Sequence, residues 1–148
     1  MANGITVERL TGEMLSDTAY LEALCFAEPW SENSLSMLTR EGGVGFAALD
    51  GGKVVAYGGM LTVLDEGQIT NIATHPDYRR KGLAREIMCA LEEYAVNNGI
   101  ALLTLEVRRS NSAAIRLYSS IGWCECGVRK NFYRFPSEDA ILMEKKLG

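Results

Sequence analysis

One stretch of the sequence decides the fold: Asn71-Ile72-Ala73-Thr74-His75-Pro76-Asp77-Tyr78-Arg79-Arg80-Lys81-Gly82-Leu83-Ala84-Arg85. The pattern predicts a strand that ends at Thr74, a polar loop, and a helix that begins near Gly82. The start of this helix carries a cluster of cations, although the helix dipole already places partial positive charge there. These cations are Arg79, Arg80, Lys81 and Arg85. Unpaired backbone N–H groups, a glycine and converging cations together predict a pyrophosphate-binding site.

The spacing within this loop differs from the G-x-G-x-x-G motif of dinucleotide folds and from the G-x-x-x-x-G-K-[ST] motif of triphosphate loops. It closely resembles the [QR]-x-x-G-x-[GA] signature of the GCN5-related N-acetyltransferases, the GNAT superfamily. The resemblance implies that the loop binds the pyrophosphate of acetyl-CoA. The residues implied are Arg79, Arg80, Lys81, Gly82, Leu83, Ala84 and Arg85. A solvated basic turn is the alternative interpretation of the same letters.

The chain before this segment reads as strands with one or two helices. Alternation predicts a strand over 5–10, helical spacing predicts a helix over 17–27, and Ser31 is a candidate N-cap for a short helix. Two runs around the turn Asp50-Gly51-Gly52 predict a β-hairpin, and another strand is expected over 68–74. The N-terminal half therefore predicts an antiparallel meander.

After the loop, the pattern alternates between helix and strand. A helix is expected from Leu83 to the stop at Asn97-Asn98-Gly99, then a strand over 100–107 that is apolar enough for burial on both faces. A second helix up to Gly122 and two final strands follow. This order predicts an α/β (α+β) fold with a mixed central sheet and helices on both faces. The resemblance implies the GNAT acyl-CoA N-acyltransferase fold in a single domain, 1–148.

Composition limits the classes of function. The chain has 148 residues, with 15 Lys and Arg against 19 Asp and Glu, so its net charge is −4. This balance argues against nucleic-acid binding as the main function, since phosphate contacts need an excess of cations. No apolar run reaches the length of a membrane span, and four cysteines without C-x-x-C spacing make a metal site improbable. We expect a cytoplasmic enzyme without a metal.

Two residues are suited to amide formation from an amine and a thioester, which needs a general base and a general acid. Glu106 ends an apolar strand, where partial burial raises the pKa of a carboxyl toward the range useful for a base. Tyr118 lies two turns into the following helix and can donate its phenolic proton. Alternatively, Glu106 forms a structural ion pair with Arg108 or Arg129, and Tyr118 is a core residue. We interpret His75 as an exposed turn residue.

A closer resemblance covers about 26–143. The segments that carry it are FAEPWS at 26–31, LEVRRSNSAAIRLY at 105–118, GW at 122–123, GVRKNFY at 127–133 and EDAILM at 138–143. They resemble the bacterial RimI-type ribosomal-protein alanine N-acetyltransferases. The resemblance implies that Glu106 is the general base, Tyr118 the general acid and Asn111 a cofactor contact, which is also a candidate helix cap. It also implies that the backbone of Ile72, Ala73 and Thr74 holds the pantetheine arm.

The activity implied is direct acetyl transfer, in a ternary complex, to the α-amine of an N-terminal alanine on a small-subunit ribosomal protein, number eighteen. Two alternatives remain: a GNAT enzyme that acetylates lysine side chains or a small amine, and a non-catalytic acetyl-CoA-binding module. Because a ribosomal tail is usually basic, we expect an acidic substrate groove. The candidate loop carboxylates are Glu28, Glu32, Asp65 and Glu66. The oligomeric state stays open.

Overall fold

The computed structural model describes residues 4–148, so the first three residues of the expected domain lie outside the described range. Within residues 4–148, seven strands form one mixed sheet in the order β1-β2-β3-β4-β5-β7-β6, in which only β4 and β5 are parallel neighbours. The strands are β1 Ile5–Arg9, β2 Gly43–Asp50, β3 Lys53–Val63, β4 Glu66–Thr74, β5 Leu102–Arg108, β6 Cys124–Tyr133 and β7 Glu138–Lys146. The expected mixed sheet is confirmed.

In the described part of the chain, four α-helices accompany the sheet: α1 Leu15–Cys25, α2 Glu32–Leu35, α3 Leu83–Asn97 and α4 Ser112–Ser120. Ser31 caps α2 as predicted, because its hydroxyl accepts a hydrogen bond from the Ser34 N–H at 3.1 Å. Gly82 precedes α3 in the left-handed conformation, with φ of 76°, which an L side chain adopts only with strain. None of the helices described within 4–148 is long and apolar enough to cross a membrane.

The helices lie on both faces of the sheet, as expected. Along β3, Tyr57 and Leu61 join the core beneath α1 and α2, whereas Ala56 and Met60 join the core beneath α3. This alternation follows from the two-residue period of a strand. The sheet is therefore the middle layer of three.

The prediction that β5 is buried on both faces is wrong. Leu103, Leu105 and Val107 are buried, but the alternate residues, among them Thr104 and Glu106, are only partly buried. The apolar run reflects one core face and one face that borders an open cavity. This is why a carboxylate occurs in the strand.

Strands β4 and β5 pair over only three residue pairs, from Glu66 with Leu102 to Gln68 with Thr104. Beyond that point they separate, and no further pairing joins them within the described chain. On its other side β4 has a bulge, where Thr70 and Asn71 oppose the single residue Gly59 of β3. The result is an opening in the middle of the sheet.

Candidate active site

A cavity of about 670 Å³ occupies this opening. Its walls come from the segment after α1, from β4 and β5, from the start of α4 and from the segment between β6 and β7. Of the predicted site residues, Glu106, Tyr118, Asn111 and Ile72 line it. The fold thus brings together the candidate base and the candidate acid.

Both carboxylate oxygens of Glu106 have partners. Oε1 accepts a hydrogen bond from Gln68 Nε2 at 2.9 Å, and Oε2 accepts one from Arg129 Nη1 at 2.8 Å. The Glu106 side chain is 14% exposed. Of the two ion pairs considered from the sequence, the structure forms the one with Arg129. Gln68 lies on β4, and no pattern in the sequence marks it as a site residue.

Tyr118 projects from α4 with its side chain almost fully buried, at 7% exposure for the residue. Burial, and secondarily the neighbouring Tyr133, raises the pKa of Tyr118 to about 12. Its ring lies against Trp123, with 6.2 Å between ring centroids. Because of this raised pKa, the Tyr118 hydroxyl carries its proton at neutral pH. The described residues provide no hydrogen-bond partner for it, so it is available as a donor at the cavity wall.

The loop after β4 forms a second, smaller cavity of about 350 Å³. Its lining includes Arg79, Arg80, Gly82, Leu83, Ala84 and Arg85, together with Thr74 at the end of β4. Within the described part of the chain, none of the four loop cations forms an ion pair. The first N–H groups of α3 also lack intrahelical acceptors. Cations and backbone donors thus converge on one concave surface.

Two predicted cofactor residues line neither cavity. Ala73 is buried at 4% exposure and packs into the core beneath α1 and α2, because alternate residues of β4 point to opposite faces. Lys81 is exposed. Ile72 lines the larger cavity and Thr74 the smaller one, so β4 borders both.

Asn111 acts as the N-cap of α4, as one interpretation predicted. Its Oδ1 accepts a hydrogen bond from the Ala114 N–H at 3.1 Å, while the residue also lines the larger cavity. The cap fixes the start of the helix that carries Tyr118. A contact with a cofactor is compatible with this role.

Arg108 is a site residue that the sequence did not reveal. Nη1 donates to the Pro136 carbonyl at 3.0 Å and to Glu138 at 3.1 Å, and Nη2 donates to the Arg134 carbonyl at 2.9 Å. Its guanidinium also lies 4.4 Å from the centroid of the Tyr133 ring. One side chain thus fixes the segment between β6 and β7, a wall of the cavity. Contacts over 26 to 30 residues leave no local pattern.

The expected acidic groove is only partly present. Of the four loop carboxylates, Glu28 alone lines the cavity, and it forms an ion pair with Arg134 at 3.3 Å. His75 also differs from expectation, because its side chain is 17% exposed and its Nδ1 accepts a hydrogen bond from the Asp77 N–H at 3.1 Å. It stabilises the turn that leads into the cationic loop.

Known proteins share this architecture. The model of the Acetyltransferase (GNAT) family matches residues 13–123. The chain is 39% identical over 140 residues to the ribosomal protein bS18-alanine N-acetyltransferase of Escherichia coli strain K12, with 93% of this chain and 95% of that protein covered. It is 32% identical over 145 residues to the putative enzyme of the same name from Bacillus subtilis strain 168, with 97% and 96% covered. The crystal structure of the ribosomal-protein-S18-alanine N-acetyltransferase from Escherichia coli has a TM-score of 0.90 and 37% identity, and the match covers 97% of this chain and 94% of that chain. With its cationic loop, its separated strands and this likeness, the chain belongs to the GNAT acetyltransferase family.

Proposed function

We propose that this protein transfers the acetyl group of acetyl-CoA to the α-amine of an N-terminal alanine, on a ribosomal protein of the bS18 type. The observation that carries the proposal is that Glu106 and Tyr118 line one cavity at the separation of β4 and β5. The cationic loop lies at the far end of the same strand β4. The names of the relatives supply the identity of the acceptor protein.

The residues of the cationic loop fit a pyrophosphate group. Arg79, Arg80 and Arg85 supply positive charge, and the start of α3 supplies N–H donors. Apart from Gly82 itself and its two chain neighbours, no residue has an atom within 4 Å of the position that a Cβ on Gly82 would take. The separated edges of β4 and β5 leave backbone groups for a pantetheine arm. Acetyl-CoA supplies an activated acetyl group as its thioester.

The cavity residues divide the proton transfers between them. Glu106 accepts the proton that the α-amine loses as it forms the new C–N bond, directly or through a water. Tyr118 donates its phenolic proton to the departing sulfur. Burial raises the pKa of the Cys25 thiol, also at the cavity, so that this cysteine stays protonated and is a poor nucleophile. Direct transfer in a ternary complex is therefore the route we propose.

The decisive experiment is mass spectrometry of protein N-termini from cells with and without this protein. We expect loss of acetylation at an alanine N-terminus of a bS18-type protein. A purified assay then compares an alanine-starting peptide with internal-lysine peptides and polyamines. Turnover confined to lysine or polyamine would refute the proposed acceptor, and cofactor binding without any turnover would refute catalysis.

We propose further that residues 1–148 act as one acetyltransferase domain and that the protein works in the cytoplasm. One sheet that includes every described strand supports the first statement. The second rests on the acceptor, since ribosomal proteins are made and assembled there. A direct role in nucleic-acid or membrane binding forms no part of the proposal.

Replacing Arg80 by Ala is expected to weaken CoA binding, because a charge-assisted contact to phosphate contributes about 1.5 kcal/mol or more. The Kd for CoA, measured by calorimetry, should rise at least about tenfold. Arg40→Ala is the matched control, because Arg40 is exposed and does not line the cavity of the cationic loop. It precedes β2, whose first residue, Gly43, pairs with Leu61 of β3. Equal Kd values for the Arg80→Ala variant and the wild type would contradict the binding role of the loop.

Replacing Arg108 by Lys is expected to loosen the segment between β6 and β7, because an ammonium group lacks the planar fork that reaches Pro136, Glu138 and Arg134 together. The KM for the peptide should rise about fivefold, for a loss of about 1 kcal/mol, while the Kd for CoA stays constant. Arg109→Lys is the control, since Arg109 is 56% exposed and pairs with Asp139 at 3.7 Å. Equal peptide KM values for the two variants would show that Arg108 does not hold the segment between β6 and β7 for peptide binding.

A further inference from the structure

A fully buried carboxylate lies beside the cavity without contributing to its lining. Glu22, on α1, is 0% exposed. Its Oε1 accepts a hydrogen bond from the Trp30 N–H at 2.8 Å, and its Oε2 accepts from the Tyr57 hydroxyl at 2.5 Å and from Asn71 Nδ2 at 2.9 Å. Among the described residues, no cation pairs with it. Three neutral donors therefore hold a buried negative charge.

A buried carboxylate lowers the stability of a fold unless its interactions offset the free energy of its desolvation. The desolvation of a buried carboxylate costs several kcal/mol, and neutral hydrogen bonds offset it only when every oxygen is satisfied. Glu22 follows Leu15 by seven residues on the buried face of α1, where an apolar residue would pack without that cost. The positions of its three hydrogen-bond donors indicate a second role for this carboxylate.

Each donor comes from a different part of the site. Trp30 lies in the segment after α1 and forms one wall of the cavity. Asn71 belongs to the β4 bulge, on the strand that borders the opening. Tyr57 lies on the neighbouring strand β3, where it pairs with Ala73 of β4. The carboxylate thus joins the segment after α1 to the β4 bulge, two parts of the chain that line the same cavity.

We propose that Glu22 is a positioning residue for acetyl transfer, whose buried carboxylate holds the Trp30 wall and the β4 bulge at a fixed spacing. The inference rests on the proposed function. Only an acceptor of three hydrogen bonds fits, because all three neighbours present hydrogens to it. Burial and the Glu22 charge raise the pKa of Tyr57 far above its usual value, so the tyrosine hydroxyl remains a donor.

The test compares Glu22→Gln with Asp17→Asn, a carboxylate-to-amide change on the same helix. Asp17 accepts a hydrogen bond from the Val54 N–H at 2.6 Å and contributes to neither cavity. Both variants should lower the melting temperature. Only Glu22→Gln should lower kcat/KM for the alanine peptide by about tenfold, at a temperature where both variants are fully folded. Hydrogen exchange at the Trp30 N–H should also become faster only in Glu22→Gln.

Wild-type turnover is measured first, and its absence means that the proposed function, rather than this inference, has failed. With an active wild type, kcat/KM of Glu22→Gln equal to that of Asp17→Asn would overturn the positioning role, whatever the exchange rates. If Glu22→Gln does not fold, Tyr57→Phe decides, because it removes one donor and keeps the ring. Wild-type kinetics in Tyr57→Phe would then overturn the inference, and a loss in kcat/KM with normal folding would support it.

Discussion

Glu106→Gln is expected to lower kcat for acetylation of an alanine-starting peptide by about 10²–10⁴-fold, the usual contribution of a general base. The new amide oxygen can still accept a hydrogen bond from Arg129, and the Gln68 amide can flip so that its oxygen accepts from the new NH2 group, so the cavity should keep its shape. What the variant lacks is an oxygen basic enough to take the proton of the amine. CoA binding, measured by calorimetry, should persist.

The control for this variant is Glu125→Gln, which makes the same change in net charge at an exposed position of β6. It should leave kcat and the peptide KM near their wild-type values. Wild-type turnover in Glu106→Gln would reduce Glu106 to the structural partner of Arg129. A normal kcat with a raised peptide KM would assign it to substrate binding instead.

Tyr118→Phe is expected to lower kcat by about 10²-fold, the lower end of the range for general acid catalysis. The phenyl ring retains the packing against Trp123, so the free energy of unfolding should change little. Because the pKa of Tyr118 is about 12, the hydroxyl remains protonated in assays at pH 7 to 9. The defect in Tyr118→Phe should therefore be constant over that pH interval.

A second tyrosine provides a stringent comparison. Tyr133 also lines the cavity, and burial followed by the Glu106 charge raises its pKa to about 12. If Tyr133→Phe showed the large loss in kcat and Tyr118→Phe did not, the acid would be Tyr133. Tyr94→Phe, on α3 outside both cavities, should be neutral and controls for the loss of a hydroxyl.

Local features were accessible from the sequence. The loop from Arg79 to Arg85 stands out as a candidate anion site because its cations, its glycine and the start of α3 are adjacent in the chain. Caps such as Ser31 and Asn111 were found for the same reason, since a cap bonds to an N–H three residues away. The order of strands and helices followed from periodicity, which each element carries within itself.

Long-range contacts were not accessible. Glu22 meets Tyr57 and Asn71 over 35 and 49 residues, and the sequence marks it only as a glutamate on an otherwise buried helix face. The partial exposure of one face of β5 depends on its separation from β4, and hence on a bulge one strand away. The resemblance assigns only the backbone of Ala73 to the pantetheine arm, and its side chain packs into the core, where strand alternation places it.

The short junction between β4 and β5 also bears on the lifetime of the protein. Beyond the three residue pairs that join β4 to β5, the facing edges of these two strands lie within the sheet but are not paired with each other. A ligand that enters this slot binds the folded chain and has no site on the unfolded one, so at 100 times its Kd it adds about 2.7 kcal/mol to the free energy of unfolding. With acetyl-CoA as the proposed ligand, resistance to heat and to proteases is expected to rise with its concentration.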